Sequence, residues 1–320
     1  MRVLVGPNAM GLERVIDELR PLYPDVEFSH CAAREGLHEA LAEADVFLGW
    51  VSREDYLAAG RLRWIQSPSS GVDRFLAIPE LQQGDTLLTS ARGTHGACLA
   101  EHAMGMILAF SRGIREFVGQ QAQHHWSNRE FRASMRELTG STMGIIGLGT
   151  VGRAVARRAC AFDMRVIAVD MLPAEAPEGV ERLDGLDGLP RLLGESDYVV
   201  VTVPYTERTA GMLGAAEIAC LKPTSMLVGI SRGGVIDEDA LAAALREGRL
   251  GAAALDVVSV EPLPADSPLW DAPNLLITPH VAGGTQFECD HILDIFKENL
   301  ARFTRGELPL RNQVDKARGF

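Results

Sequence analysis

The chain has 320 residues, a length that suits about two domains with well-buried cores. Hydrophobic residues make up 47% and charged residues 23%, the balance of an ordinary globular protein. A formal net charge of −12 argues against a nucleic-acid partner and against a docking face for anionic membranes. The five cysteines (Cys31, Cys98, Cys160, Cys220, Cys289) are scattered without a C-x-x-C pair. No metal site or disulfide frame is therefore expected, and mostly buried thiols in a reducing, cytoplasmic setting are. The opening MRVLVGPNAM has too short an apolar run for a signal peptide, and no stretch approaches the roughly 18 apolar residues of a membrane span.

Strand and helix patterns alternate from the start. Residues 3–5 read as a strand, 12–22 as a helix, 26–28 as a strand, 37–43 as a helix and 46–50 as a strand. Residues 62–66 and 86–89 give two more strands. This alternation implies βαβ units and a mainly parallel sheet covered by helices. A long helix is predicted over 98–120, with Leu99, Ala103, Met106, Ile107 and Phe110 at helical spacing. A polar segment dotted with aromatics (121–139) precedes a strand at 143–146. Beyond it lie a strand at 198–203, a helix at 215–221, a strand at 226–230, a helix at 237–247, and strands at 252–258 and 275–277. Residues 100–282 then form one nucleotide-binding unit. Residues 283–320 carry a helix pattern (Phe287, Ile292, Ile295, Phe296, Leu300, Phe303) but no strand, and are expected to return to a first domain at 1–99.

Within that frame the segment 142–170 carries the strongest signal. An apolar strand runs into GLGTVG, a helix pattern follows, and a second strand ends at Asp170. In that context a G-x-G-x-x-G is a dinucleotide-binding fingerprint. Gly147 makes the tight turn, Gly149 lets backbone approach a pyrophosphate, and Gly152 lets helix and sheet pack closely. The helix N-terminus supplies free N–H groups for phosphate. Asp170 stands near the roughly 20-residue spacing of the acid that binds the adenosine ribose. Met171-Leu172-Pro173 after it offers no arginine for a 2′-phosphate, so NADH is expected over NADPH.

Three later segments place an ionisable residue of interest after a strand: ISRGG (Arg232), LDVVSVEP (Glu261) and TPHVAGG (His280). Ligands of open α/β sheets bind beyond the carboxyl ends of the strands, so these groups are expected to meet there. A histidine beside a carboxylate is a general acid/base pair, and an arginine fork suits a carboxylate substrate. Of the other histidines, His124 and His125 lie in the polar segment and are expected to be solvated. His102, inside the long helix, suits a structural hydrogen bond.

These segments, with AEHAMGMILAF (100–110), VTVPYTERT (201–209), MLVGISRGGVIDEDAL (226–241), GAAALDVVSVEPLPADSPLW (251–270) and NLLITPHVAGGT (274–285), resemble the D-isomer-specific 2-hydroxyacid dehydrogenases. The resemblance spans nearly the whole chain. It implies an α/β protein of two doubly wound parallel-sheet domains, a Rossmann nucleotide domain and a flavodoxin-like substrate domain. It implies reversible reduction of a small 2-oxo acid, such as glyoxylate or hydroxypyruvate, to a D-2-hydroxy acid with NADH. His280 would transfer the proton, Glu261 would orient it, and Arg232 would bind the substrate carboxylate. NAD would lie against Gly147, Leu148, Gly149, Thr150, Val151, Gly152 and Asp170. Val203, Pro204, Thr209, Ile230, Ser231, Arg232, Asp256, His280, Ala282 and Gly283 would complete its site, Asp256 anchoring the carboxamide. IQSPSSGVDRF (65–75) resembles the family's substrate loop, with Ser70 and Gly71 as backbone donors to the carboxylate, a nest in physical terms. Trp50 and Thr94 would line the pocket beside them, together with His95.

The chain departs from the pattern in places. Gly229-Ile230-Ser231 replaces the usual Asn before S-R-G, Gly140-Ser141-Thr142 replaces G-K-T, and His95 stands where an Asn is often found. The only lysines are Lys222, Lys297 and Lys316, which disfavours the phosphite-oxidising relatives and their substrate-loop lysine. Glu261, where formate-oxidising relatives have a glutamine, argues against those. The aromatic and arginine residues of 115–136 (Phe117, Trp126, Phe131) mark an interface, and the family implies a homodimer there. Some relatives keep the fold as nucleotide-sensing dimeric co-regulators; the short termini here, without room for a recruiting tail, favour an enzyme.

Overall fold

The structure, a computed structural model, describes residues 1–127, 129, 131–172 and 175–319. Asn128 and Glu130 of the aromatic segment, Pro173 after Asp170, and Phe320 lie outside the described residues. The chain divides into two units, Met1–His95 with Thr285–Phe320, and Gly96–Gly284. The divisions fall a few residues from the expected 99/100 and 282/283. The reason is the helix Gly96–Ser111, which belongs whole to the second unit: its Ala100, Ala103, Met104 and Ile107 pack with Ala154, Val155 and Ala159.

In the first unit five parallel strands, β1 (Arg2–Val5), β2 (Glu27–His30), β3 (Val46–Leu48), β4 (Trp64–Gln66) and β5 (Leu87–Thr89), lie in the order β2-β1-β3-β4-β5. This is the flavodoxin-like doubly wound order. Successive side chains of a strand face opposite ways, and β1 shows it: Val3 and Val5 pack on one face with Leu12 and Val15, Leu4 on the other with Leu37, Leu41 and Phe75. The helix Glu288–Thr304 returns as expected, its Ile292, Leu293, Phe296 and Leu300 packing with Val3, Val5 and Trp64. The Trp64 and Phe296 rings stack at 5.3 Å. Lys316 Nζ donates to the carbonyls of Leu81 (2.7 Å) and Gly84 (2.8 Å), satisfying the C-terminal end of the helix Pro79–Gln83.

In the second unit seven parallel strands, β6 (Thr142–Ile146), β7 (Arg165–Val169), β8 (Arg182–Asp184), β9 (Tyr198–Val201), β10 (Met226–Gly229), β11 (Ala252–Leu255) and β12 (Leu275–Ile277), lie in the order β12-β11-β10-β9-β6-β7-β8. Read from β8, this is the Rossmann order with one strand added, and the strand order reverses between β6 and β9. The polar edge strand β8 was not expected from its sequence. An ionic knot anchors it: Glu195 takes Arg191 (2.7 Å), Arg182 (3.1 Å) and Arg165 (3.1 Å). Those guanidiniums, Arg182 first, hold its carboxyl down at about 2.

Several expected elements are shorter. β9, β10 and β11 stop at Val201, Gly229 and Leu255, because the next residues leave the sheet as site loops. The helix expected over 98–120 is two helices, Gly96–Ser111 and Ile114–Ala122. They are broken at Gly113, whose φ of +64° is the left-handed conformation that ends helices. Four of the cysteines are half-buried and Cys220 is exposed, so none is the buried thiol expected. No helix among the described residues is long and apolar enough to cross a membrane.

Candidate active site

The glycine loop after β6 is fixed by backbone geometry. Gly147 has φ +91°, its N–H donates to Val169 O at 2.8 Å, and its carbonyl accepts from Thr202 Oγ1 at 2.6 Å. A Cβ at Gly152 would overlap that carbonyl, so only glycine lets the helix Thr150–Ala161 sit this close. A Cβ at Gly147 would strike Val203. Gly149, at the helix cap, faces open space and provides no side-chain cap, which leaves the first-turn N–H groups to a ligand.

Asp170 closes this loop. Its Oδ2 accepts from the Leu148 N–H at 2.7 Å and its Oδ1 from the Leu172 N–H at 2.9 Å. Beside it is a cavity of about 380 Å³ lined by Leu148, Gly149, Thr150, Arg153, Asp170, Leu172 and Leu183. Two arginines that the local sequence did not reveal stand near. Arg153 lines the same cavity, and Arg208 Nη1 lies 3.1 Å from Met171 Sδ. Arg153 had a signal, its place directly after Gly152 in the first helical turn; Arg208 is brought in by the loop after β9. In that loop Thr209 Oγ1 donates to Pro204 O (2.6 Å) and accepts from the Thr206 N–H (2.8 Å), so Thr209 shapes the turn itself.

Arg232, Glu261 and His280 follow the adjacent strands β10, β11 and β12. His280 Nδ1 lies 2.8 Å from Glu261 Oε2, and Glu261 Oε1 accepts from the Val258 N–H at 3.2 Å. The His280 side chain is 46% exposed, and Glu261 engages its Nδ1. Its backbone has φ +54°, rare outside glycine. Asp256, 2% exposed, holds that turn: its carboxylate accepts from Thr278 Oγ1 (2.6 Å) and from the N–H groups of Val281 and Ala282 (3.0 Å each). His102 Nε2 lies 2.9 Å from Thr278 Oγ1, the structural bond expected of it. Arg232 is half-buried, its Nη1 donating to Ser231 O at 2.7 Å. Gly233 lies so close to the Val258 carbonyl that no Cβ fits, which joins the Arg232 loop to the one carrying Glu261. Ile230 is buried, and among the described residues the buried Ser231 Oγ has no hydrogen-bond partner. The Gly283 carbonyl accepts from Cys98 Sγ at 3.4 Å.

The residues expected to hold substrate besides Arg232 lie in the first unit. Ser69 is fixed by the Trp50 indole N–H on its hydroxyl (3.0 Å) and the Ala91 N–H on its carbonyl (3.0 Å). Ser70 Oγ and Thr94 Oγ1 each lie 2.7 Å from His95 Nδ1. Among the described residues the N–H groups of Ser70 and Gly71 have no protein acceptor. Successive unengaged N–H groups form an anion-binding nest. No group of three His, Cys, Asp or Glu among the described residues is placed to hold a metal; His124 and His125 are exposed.

The model of the D-isomer specific 2-hydroxyacid dehydrogenase, NAD binding domain, matches residues 104–282. A D-3-phosphoglycerate dehydrogenase of Methanocaldococcus jannaschii is 34% identical over 291 residues, which are 89% of this chain and 54% of that protein. The chain thus spans about half the length of that curated relative. A glyoxylate reductase of Korarchaeum cryptofilum is 34% identical over 264 residues, 81% of this chain and 78% of the relative. Among solved structures, the NADPH-dependent glyoxylate/hydroxypyruvate reductase of Sinorhizobium meliloti, in complex with NADP and sulfate, has a TM-score of 0.85 at 29% identity, with 100% of both chains covered. The chain belongs to the D-isomer specific 2-hydroxyacid dehydrogenase family, dehydrogenases built on a pyridine-nucleotide-binding domain.

Proposed function

We propose that this protein reversibly reduces a small 2-oxo acid to the D-2-hydroxy acid, with NADH preferred over NADPH. The observation that carries the reading is the 2.8 Å contact of His280 with Glu261, beyond the carboxyl ends of the strands, where Arg232 and the glycine loop also lie. The second unit fits a pyridine dinucleotide. Its glycine loop offers first-turn N–H groups to a pyrophosphate, the cavity beside Asp170 suits an adenosine ribose, and the partnerless Ser231 Oγ suits a polar ligand group. Asp256 Oδ2 takes one protein donor, which leaves it capacity for a carboxamide N–H.

When bound, the reduced cofactor supplies a hydride to the carbonyl carbon. The chain's residues do the rest. Arg232 pairs with a carboxylate and polarises the carbonyl, and in the first unit the Ser70 and Gly71 N–H groups are suited to bind a carboxylate. Glu261 fixes the imidazole through Nδ1, so the other nitrogen of protonated His280 delivers its proton to the carbonyl oxygen. In the oxidative direction His280 takes that proton back. Asp170, anchored by two N–H groups, accepts the ribose hydroxyls and repels a 2′-phosphate. Arg153 and Arg208 weaken that repulsion, so the preference is a matter of degree. The exposed Ile114, Val118 and Trp126 support assembly as a homodimer.

The test is NADH oxidation with glyoxylate, hydroxypyruvate, pyruvate and bulkier 2-oxo acids, with the product's handedness determined. D-product from one or more of them is expected. Tight NADH binding without turnover of any of them overturns the reading.

A further inference from the structure

We propose that His95 is a positioning residue that sets the carboxylate-binding loop through the Ser70 hydroxyl, with Glu288 fixing the imidazole. The inference rests on the proposed role of Ser70 and Gly71 and adds a residue outside the reacting groups. His95 is 9% exposed, and its Nε2 lies 3.3 Å from Glu288 Oε1. A carboxylate only accepts, so Nε2 carries a hydrogen toward Glu288, which fixes the ring and turns Nδ1 to the loop. Two hydroxyls, Ser70 Oγ and Thr94 Oγ1, each stand 2.7 Å from Nδ1. Both also reach the Ala91 carbonyl, Thr94 at 2.7 Å and Ser70 at 3.1 Å. Ser70 Oγ lies farther from Ala91 than Thr94 Oγ1 does, and its shorter contact is the one with His95.

Glu288, His95 and Ser70 thereby form one chain of hydrogen bonds ending on the loop whose N–H groups bind the carboxylate. Trp50 and Ala91 pin Ser69; among the described residues the Ser70 side chain is held by its contacts with the Ala91 carbonyl and with His95 Nδ1. An asparagine at 95 is too short to reach both Ser70 and Glu288. The histidine spans them and aims the two N–H groups before substrate arrives. Preorganised donors bind the anion without an ordering cost.

The experiment compares wild type with Ser70→Ala, His95→Ala, their double variant and His95→Gln, using glyoxylate and pyruvate in turn as probes. Losing the link should raise KM for the 2-oxo acid by about tenfold, the equivalent of about 1.4 kcal/mol. The change in kcat should stay within about twofold, and the NADH dissociation constant should not move. The double variant should be no worse than either single one, because both break the same link. His95→Gln, which keeps a donor and an acceptor, should recover part of the loss. Unchanged KM in Ser70→Ala, or additive losses in the double variant, overturns the proposal. Ser70→Ala keeps the backbone donors and decides the matter even where the His95 variants unfold. Wild-type protein inactive on both probes and on the wider panel sinks the underlying reading instead.

Discussion

The N–H of His280 donates to the carbonyl of Asp256 at 2.8 Å, while the Asp256 carboxylate holds the next two N–H groups of the same turn. One buried side chain thus maintains the left-handed backbone of the proposed proton-transferring residue. Asp256→Asn would turn an amide NH₂ toward donors that need an acceptor. We expect a loss of about 1–3 kcal/mol in stability, the cost of a buried unsatisfied group. Turnover should fall by about tenfold or more as His280 loses its aim, since small misplacements are costly. Urea unfolding and kcat measured together check this; an unchanged kcat would reduce Asp256 to a packing role.

Glu261 and His280 should separate by magnitude. His280→Ala removes the proton carrier and should lower kcat by about 100- to 10,000-fold. Glu261→Gln keeps a hydrogen-bonding group near Nδ1 but removes the charge opposite the imidazolium, so its loss should be smaller. Glu261→Gln should not change the NADH dissociation constant, which fluorescence titration reads. Equal losses in both variants would mean that Glu261 does more than orient the ring.

Cofactor choice should follow Asp170. Wild type should show higher kcat/KM with NADH than with NADPH, and Asp170→Ser should narrow the ratio by about tenfold through lost ribose bonds and relieved repulsion. Arg153→Ala should widen it, because the arginine in that cavity favours a phosphate. Higher efficiency of the wild type with NADPH refutes the preference.

Acid stability should trace in part to Asp55. This buried carboxylate caps the helix Arg53–Ala58 from within a capping box with Ser52, and meets Arg34 and His38 at 2.9 Å each. Burial pushes its carboxyl up, but the Ser52 hydrogen bonds and the Arg34 guanidinium outweigh this and leave it below the usual value. With the folded-state value depressed, the unfolded chain takes up the proton first. The stabilisation is therefore complete above about pH 5 and drains away as the pH falls below about 4. Melting curves from pH 7 to 3 should show Asp55→Asn less stable at neutrality and converging on wild type in acid. A constant gap would contradict this. Ser52→Ala should cost ~1 kcal/mol at neutral pH.

Assembly is read from the helix Ile114–Ala122, which buries none of its residues, and from Trp126, 99% exposed. Such apolar exposure beside arginines suits a self-complementary face. Light scattering at micromolar concentration should give the mass of two subunits, and Trp126→Asp with Val118→Asp should shift it toward one. A wild-type monomer refutes the dimer.

The local chemistry of the sequence was enough to identify the glycine turn, the alternating strands and the three ionisable strand ends. Each is a short-range pattern: Gly147 needs its left-handed turn whatever surrounds it, and β1 alternates because side chains of a strand do. Other features depended on distant chain segments. The polar strand β8 has no apolar pattern and is held by Glu195 and its arginines. The break at Gly113 was hidden by helical spacing on both sides of it. Arg208 reaches Met171, and His95 links Ser70 to Glu288, only because loops far apart in sequence end at one place. Backbone turns and side-chain periodicity act over a few residues, so the sequence displays them. A hydrogen-bond partner is chosen by which strand ends the sheet order makes neighbours, and that was decided by the tertiary structure alone.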